Sequence, residues 1–138
     1  MLFLTIKEIK EYLNQAFTIQ KIINAKKARI VYLKDMQNIL GMSFLQDDVK
    51  QGEIEADIIK EMSDSIKICK NEIIRLFSLQ NEIQDIIESV KDDNCRFLLF
   101  ERYVLLKDWK QIREDNHYSE KHVFKIHKKA LKLLEKIL

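Results

Sequence analysis

The sequence predicts an all-α protein, with a long antiparallel helical hairpin of coiled-coil type followed by a C-terminal helix-turn-helix. Proline is absent and the two glycines, Gly41 and Gly52, fall in one region, so the turn signals that a strand-rich fold requires are missing. Hydrophobic residues make up 46% of the 138 residues, which is enough for a substantial core. We expect two units, with residues 1–92 forming the hairpin and residues 93–138 forming the helix-turn-helix.

The first helix is predicted to run from about Thr5 to Ile39. Thr5 and Glu8 have the spacing of a capping box, in which each side chain accepts a hydrogen bond from the other residue's backbone amide. One face carries apolar residues at helical spacing, namely Ile9, Leu13, Ala16, Ile23 and Ile30. Polar residues are expected to interrupt that face at Gln20, Lys27 and Lys34.

The periodicity lapses between Leu40 and Glu53, so this stretch is predicted to connect the two long helices, with Phe44 and Leu45 packed back onto them. The second helix is predicted from Ile54 to Val90, because it carries an apolar seam of alternating three- and four-residue steps with one polar member. The seam comprises Ile59, Met62, Ile66, Cys69, Ile73, Leu76, Gln80, Ile83, Ile87 and Val90.

The association state of this hairpin has two interpretations. The two long helices bury their seams against each other within one chain, or the seam pairs two chains. Isoleucines beside the seam imply a second buried face, either against the C-terminal unit or in self-association; they are Ile58, Ile68, Ile74 and Ile86. We expect a homodimer formed through the hairpin.

Three shorter helices are predicted after a polar break at residues 91–94. The predicted N-cap residues are Asp93 or Asn94, Asp108 and Ser119. The predicted ranges are Cys95–Leu106, Asp108–Asp115 and Ser119 to the last residue, with a tight turn at Asn116 and His117. The residues expected to pack together are Leu99, Tyr103, Trp109, Ile112, Val123 and Ile126, with Cys95 as a small core residue.

The distribution of charge singles out the last helix, although the net charge is only +2. Residues 119–138 hold six Lys/Arg against two Asp/Glu, whereas residues 46–93 hold six against thirteen. The second helix of a helix-turn-helix enters the major groove, so residues 119–136 are predicted to be a recognition helix for double-stranded DNA. The side chains predicted to contact DNA are Lys110, Gln111, Ser119, Glu120, Lys121, His122, Lys125, Lys128 and Lys129. Among them, Lys110, Lys128 and Lys129 are assigned to phosphates, and Glu120, Lys121, His122 and Lys125 to the groove.

A set of residues between Arg102 and Leu131 resembles the C-terminal motif of small phage regulators of Gram-positive bacteria. Those proteins resemble region 4 of sigma-70-type factors and the autolysin-regulatory-protein type of phage late-gene activator. The matching positions are Arg102, Tyr103, Trp109, Ile112, Tyr118, Ser119, Val123, His127, Ala130 and Leu131. The resemblance implies a transcription regulator of a phage or mobile element, acting in the cytoplasm of a bacterial host cell, with RNA polymerase as a further candidate partner.

The chain departs from that pattern at three places. Arg113 stands where the pattern has a small alanine, so its side chain must extend outward or the helices must sit further apart. Asn116 and His117 replace Leu-Gly at the turn, and both residue types tolerate the left-handed backbone conformation. The loop before Trp109 has no glycine. Weakened DNA binding, or protein binding in its place, is therefore an open alternative.

Other functional classes have little support in the residues. The sequence has no phosphate-binding glycine loop and no nucleophile elbow, so we predict no enzymatic activity, no cofactor and no small-molecule substrate. The spacing of Cys95, His117, His122 and His127 does not suit a metal ion. The sparse cysteines fit a reducing compartment, and we expect neither a membrane span nor a signal peptide.

Two alternatives to a DNA-binding regulator remain. One is a protein–protein interaction module, in which the hairpin binds a partner and the C-terminal lysines are merely solvated. The other is a phage DNA-packaging subunit of the small-terminase type, which also joins a DNA reader to an oligomerising helix pair.

Overall fold

The computed structural model describes residues 4–44 and 49–138, and all regular structure in those residues is α-helical. The helices are α1 (Ile6–Phe44), α2 (Val49–Glu88), α3 (Asp93–Tyr103), α4 (Trp109–Asn116) and α5 (Glu120–Ile137). The prediction of an all-α protein with two long helices that pack together is therefore confirmed.

The first helix begins where the sequence predicts. The Thr5 hydroxyl accepts a hydrogen bond from the Glu8 amide at 3.2 Å, and the Glu8 carboxylate accepts one from the Thr5 amide at 3.4 Å. This reciprocal pair satisfies two of the amides that the first turn of a helix leaves without partners.

The predicted connection from Leu40 to Glu53 is wrong, because both long helices extend into it. Gly41 lies inside α1 and Gly52 inside α2. An isolated glycine costs a helix only about 1 kcal/mol, which the packing of a long helix outweighs. The predicted packing of Phe44 and Leu45 concerns side chains outside the described part of the chain.

The pairing of the long helices is antiparallel, since contacts move toward the start of α2 as they move along α1. The Gln80 amide group donates to the Gln20 carbonyl at 2.8 Å, and Lys26 forms an ion pair with Glu72. Further along, the Gln37 amide group donates to the Ile59 backbone carbonyl at 3.0 Å and to the Ser63 hydroxyl at 2.7 Å. These contacts fix the direction and the register of the hairpin.

The seam of α2 is confirmed, since each of its ten predicted members is buried or half-buried. The seam of α1 differs from the prediction. Lys27 and Lys34 are exposed, and the half-buried Lys26 and the buried Leu33 take the inward positions instead. A straight helix with 3.6 residues per turn drifts against a seven-residue repeat, which explains a shift of one position along a long helix.

The chain forms two compact units, and both long helices contribute to each. One unit takes in the chain up to Gln20 together with Ser78–Leu138, and the other is Lys21–Phe77. The predicted functional division at residue 92 remains a prediction. Beside the seam of α2, Ile58, Ile68 and Ile74 are exposed, so the chain does not bury them; their burial in self-association remains a prediction.

The short helices are capped at residues close to those predicted. Asp92 is the N-cap of α3, in place of the predicted Asp93 or Asn94, and its carboxylate accepts from the Cys95 amide at 3.0 Å. Asp108 caps α4 and Ser119 caps α5, as predicted. The third helix ends at Tyr103, earlier than predicted, and the loop then turns through Leu106 at a φ of 60°.

The core beneath these helices contains the residues expected there. Leu99, Ile112 and Val123 are fully buried, Tyr103 and Ile126 nearly so, and Trp109 is half-buried. Cys95 is also buried, which confirms it as a small core residue.

Candidate nucleic-acid interface

Five side chains from four helices form a closed ring of contacts beneath the candidate interface. They are Phe17, Arg102, Tyr103, Trp109 and His127. The Arg102 guanidinium lies between two aromatic rings, 4.5 Å from the centroid of Phe17 and 4.6 Å from that of Trp109. The Trp109 ring contacts His127 edge-on at 4.7 Å, and Tyr103 contacts Phe17 edge-on at 6.3 Å. Cation–π and edge-to-face contacts of this kind stabilise the packing of α1, α3, α4 and α5.

A hydrogen bond closes the ring. The Tyr103 hydroxyl and the His127 Nε2 share it at 2.9 Å, and both residues are buried. Burial lowers the pKa of His127 to about 4, with smaller contributions from the positive charges of Lys10 and Arg102. Burial also raises the pKa of Tyr103 to about 12. At neutral pH both groups are therefore uncharged, and this pair belongs to the core.

A buried carboxylate holds the loops around α4. Glu101 is 1% exposed, and its two oxygens accept from the Lys107 ammonium at 3.0 Å and from the Asn116 amide group at 2.9 Å. The Lys107 ammonium also reaches Asp115 at 2.9 Å. Hydrogen bonds satisfy both oxygens of the buried charge, which is the condition for tolerating it. Glu101 thereby connects the end of α3 to both ends of the α4 segment.

The connection between α4 and α5 turns at His117. This residue adopts the left-handed conformation, with φ 56° and ψ 40°, and its amide donates to the carbonyls of Arg113 and Glu114. The Tyr118 amide donates to the Arg113 carbonyl at 2.9 Å, so the last carbonyls of α4 have partners. The Ser119 hydroxyl then accepts from the His122 amide at 3.1 Å and starts α5.

All nine residues predicted to contact DNA are exposed. Lys110 and Gln111 lie on α4, Ser119 caps α5, and the remaining six lie on α5. Within α5, Lys121, Lys125 and Lys128 follow four- and three-residue steps along one face, opposite the buried face of the helix. Lys132 continues the same face and is exposed; sequence reasoning missed it, although its spacing from Lys128 was visible.

Three of the nine residues also have partners within the chain. Lys129 forms an ion pair with Asp92 at 3.0 Å, and the Gln111 amide group donates to Asp115 at 2.7 Å. The Cys95 backbone amide and, secondarily, Lys129 lower the pKa of Asp92 to about 2. Ser119 is engaged as a cap. To contact a phosphate, Lys129 must therefore leave Asp92.

The structure brings only some of the nine together. His122, Lys125 and Lys129 line one cleft of about 220 Å³, together with Asp92, Asn94, Cys95 and Ile126. Lys110 lines a different, open cleft of about 460 Å³, together with Arg113, Glu114, His117 and Tyr118. Arg113 is half-buried and lines this second cleft; whether it extends outward or holds the helices further apart, the two courses expected from the sequence, remains a prediction.

The described residues give little indication of other chemistry. No group of three or more His, Cys, Asp or Glu side chains among them could hold a metal ion. Burial, reinforced by Asp92, raises the pKa of the Cys95 thiol to about 11, so this thiol is a poor nucleophile. No helix in the described parts of the chain is long and apolar enough to span a membrane.

Sequence reasoning missed the long-range contacts that support this surface. Phe17 was not assigned to the C-terminal core, and Glu101 was not identified as a buried carboxylate. A glutamate within an apolar helix is a weak signal, and only the fold brings Asn116 and Lys107 to it. Comparison with protein-family models, curated proteins and solved structures finds no match to this chain.

Proposed function

We propose that this chain is a DNA-binding transcription regulator of a phage or mobile genetic element, working in the cytoplasm of a bacterial host. In this proposal α4 and α5 form a helix-turn-helix of the sigma-region-4 type, and residues 119–136 are the recognition helix in the major groove. The hairpin pairs two copies of the chain and offers a surface to RNA polymerase. The proposal includes no catalytic step, cofactor or metal.

The observation that carries the proposal is the exposed lysine face of α5. Lys121, Lys125, Lys128 and Lys132 line one side of a helix whose other side is packed into the core. A row of lysines along one face of a helix is typical of proteins that bind the negatively charged phosphates of DNA. The N-terminal turn of the same helix presents Glu120 and His122 to solvent, where side chains of a recognition helix meet base edges.

The packed positions of the family motif support the same proposal. Arg102, Tyr103, Trp109 and His127 are motif residues, and all four belong to the ring of contacts described above. The departure at the turn is accommodated, because His117 adopts the left-handed backbone conformation, which histidine tolerates better than most residues.

Binding of the full chain to fluorescently labelled double-stranded DNA tests the proposal. We expect affinity to fall steeply as salt rises, because lysine contacts release counterions from DNA. Lys128→Ala should reduce the slope of log K against log salt by about 1. Lys67→Ala, which removes an exposed lysine of α2, should leave the slope unchanged. If the full chain ignores DNA even at about 50 mM salt, the proposal fails.

A second candidate function, a partner-binding module, is favoured by the surface of the hairpin. The unit Lys21–Phe77 exposes many large apolar residues: Ile22, Val31, Tyr32, Ile39, Met42, Ile54, Ile58, Ile68, Ile74 and Phe77. Such surfaces mark interaction sites. Sedimentation velocity of the full chain separates the possibilities. A dimer that binds DNA supports the regulator, a ring of many copies favours DNA packaging, and a monomer without DNA binding favours the partner-binding module.

A further inference from the structure

We propose that the open cleft between α4 and the turn binds a phosphate group of the DNA backbone, with Lys110, Arg113 and His117 as its ligands. The inference rests on the proposed DNA binding and adds residues to it. Arg113 and His117 are two of the positions where the chain departs from the family pattern, so the site would be particular to this chain.

The geometry brings the three side chains to one place. Lys110, Arg113 and His117 are spaced by three and four residues, which puts them on one side of α4 and of the turn that follows it. All three line the same cleft of about 460 Å³. Within the described residues none of their side chains forms an ion pair or a hydrogen bond, whereas Lys26, Lys107 and Lys129 all pair with carboxylates. Their donors are therefore available to a ligand.

The chemistry of the cleft suits an anion. Lysine and arginine supply fixed positive charges, and arginine presents a planar fork of donors that matches phosphate oxygens. The Tyr118 hydroxyl and the His117 ring add further donors. Glu114 also lines the cleft, and its one carboxylate is outnumbered by the two fixed cations. The backbone amides of His117 and Tyr118 are bonded to Arg113 and Glu114 carbonyls, so recognition falls to side chains.

The position of the cleft favours a phosphate of bound DNA over a free phosphate. Tyr118 lines the cleft and its ring contacts His122 edge-on at 4.8 Å. His122 lies in the first turn of α5, where side chains are predicted to meet the groove. The contact between Tyr118 and His122 therefore links the lining of the cleft to the first turn of α5. In the proposed complex, a DNA strand that contacts the first turn of α5 would pass near the cleft.

Two measurements on the full chain test the inference. The first is DNA affinity against salt for Arg113→Gln, with Arg75→Gln, which alters an exposed arginine of α2, as the matched control. Loss of one phosphate contact should lower the slope of log K against log salt by about 0.9, and the control should keep the original slope. Trp109 emission shows whether the variant remains folded. In a chain that binds DNA, an unchanged slope for Arg113→Gln would overturn the inference.

The second measurement separates this inference from the proposed function. Inorganic phosphate is titrated at constant ionic strength while NMR follows the side-chain signals of Arg113 and His117. If DNA binding itself fails, shifts of the His117 signals that disappear in Arg113→Gln still show that the cleft binds phosphate, and the failure then lies in the proposed function. If the chain binds DNA and the slope falls while free phosphate causes no shift, the cleft recognises phosphate only within DNA, which supports the inference. If the chain does not bind DNA and free phosphate causes no shift, the inference is refuted together with the proposed function.

Discussion

The two compact units of this chain bury their apolar residues to different extents. In the unit containing α3, α4 and α5, large side chains such as Leu99, Ile112 and Leu134 are fully buried. The unit Lys21–Phe77 has buried seam residues such as Ile66 and Leu76, but leaves Ile68 and Ile74 60% and 64% exposed. One unit thus has a closed core, and the other has a seam flanked by open apolar surface.

The difference follows from the geometry of helix packing. Two helices alone bury one stripe each, so apolar residues beside the stripe stay exposed unless further helices or another chain cover them. In the other unit, three short helices and the start of α1 surround a common centre. The remaining surface of that unit carries the exposed lysines of α5 and a few exposed apolar side chains such as Phe97 and Phe124, whereas Lys21–Phe77 exposes more large apolar side chains among the described residues.

The largest expected effect comes from opening the closed core. Ile112→Ala removes a fully buried side chain, and we expect the free energy of unfolding to fall by about 3 kcal/mol because of lost burial and the cavity left behind. Trp109 is the only tryptophan in the sequence and lies in this unit, so urea unfolding followed by its emission measures the loss.

Ile68→Ala is the matched substitution on the open surface. We expect a change within about 0.5 kcal/mol for the isolated chain, since the side chain is largely exposed and alanine favours the helix. A loss that grows with protein concentration would show that this surface is buried in an oligomer. Equal losses for Ile68→Ala and Ile112→Ala in dilute solution would contradict the comparison between the units.

An intermediate effect is expected from acid, through the buried His127 of the unit with the closed core. The pKa of His127 is about 4 in the folded chain and about 6.5 in an unfolded one. The unfolded chain therefore binds the proton first, and stability falls as pH falls from about 6.5 toward 4. Between about pH 6.5 and 5 the loss should be about 1.6 kcal/mol, measured by urea unfolding with Trp109 emission.

His127→Gln provides the decisive variant. It should lower stability at neutral pH, because the contacts with Tyr103 and Trp109 change, yet it should flatten the dependence on pH above about 5. His122→Gln alters an exposed histidine and should retain the slope of the original chain. A slope that persists in His127→Gln would assign the acid sensitivity to other groups.

The sequence was sufficient for features that depend on neighbours along the chain. The capping pair Thr5 and Glu8, the cap Ser119 and the ten-member seam of α2 all follow from spacing within one helix. Helix ends near Gly41 and Gly52 were wrong, because glycine only weakens a helix that tertiary packing holds together.

Contacts between distant segments were not predictable from the sequence. No neighbouring residue in the sequence reveals that the Phe17 ring packs against the Arg102 guanidinium. The same holds for the Glu101 carboxylate, which accepts a hydrogen bond from the Asn116 amide group. The exposed face of α5 was predictable, because the apolar period fixes which lysines point outward. The cleft lined by Arg113 and His117 was not predictable, because its shape depends on the backbone conformation of the turn. The spacing of residues in the sequence does not determine that conformation.

A smaller effect than that of acid is expected from the polar pair within the hairpin. The periodicity identified Gln80 as the one polar member of the α2 seam and Gln20 as an interruption of the α1 face, and the fold joins them by a hydrogen bond. A polar pair inside an apolar seam fixes the register of the two helices, because any slip would place each amide against an apolar side chain.

A double-mutant cycle of Gln20→Ala and Gln80→Ala should give a coupling energy of about 1 kcal/mol in urea unfolding followed by circular dichroism. Gln84→Ala, which removes a bond to Glu88 within one helix, should show no coupling to Gln20→Ala. Additive losses for Gln20 and Gln80 would mean that the apolar seam alone sets the register of the hairpin.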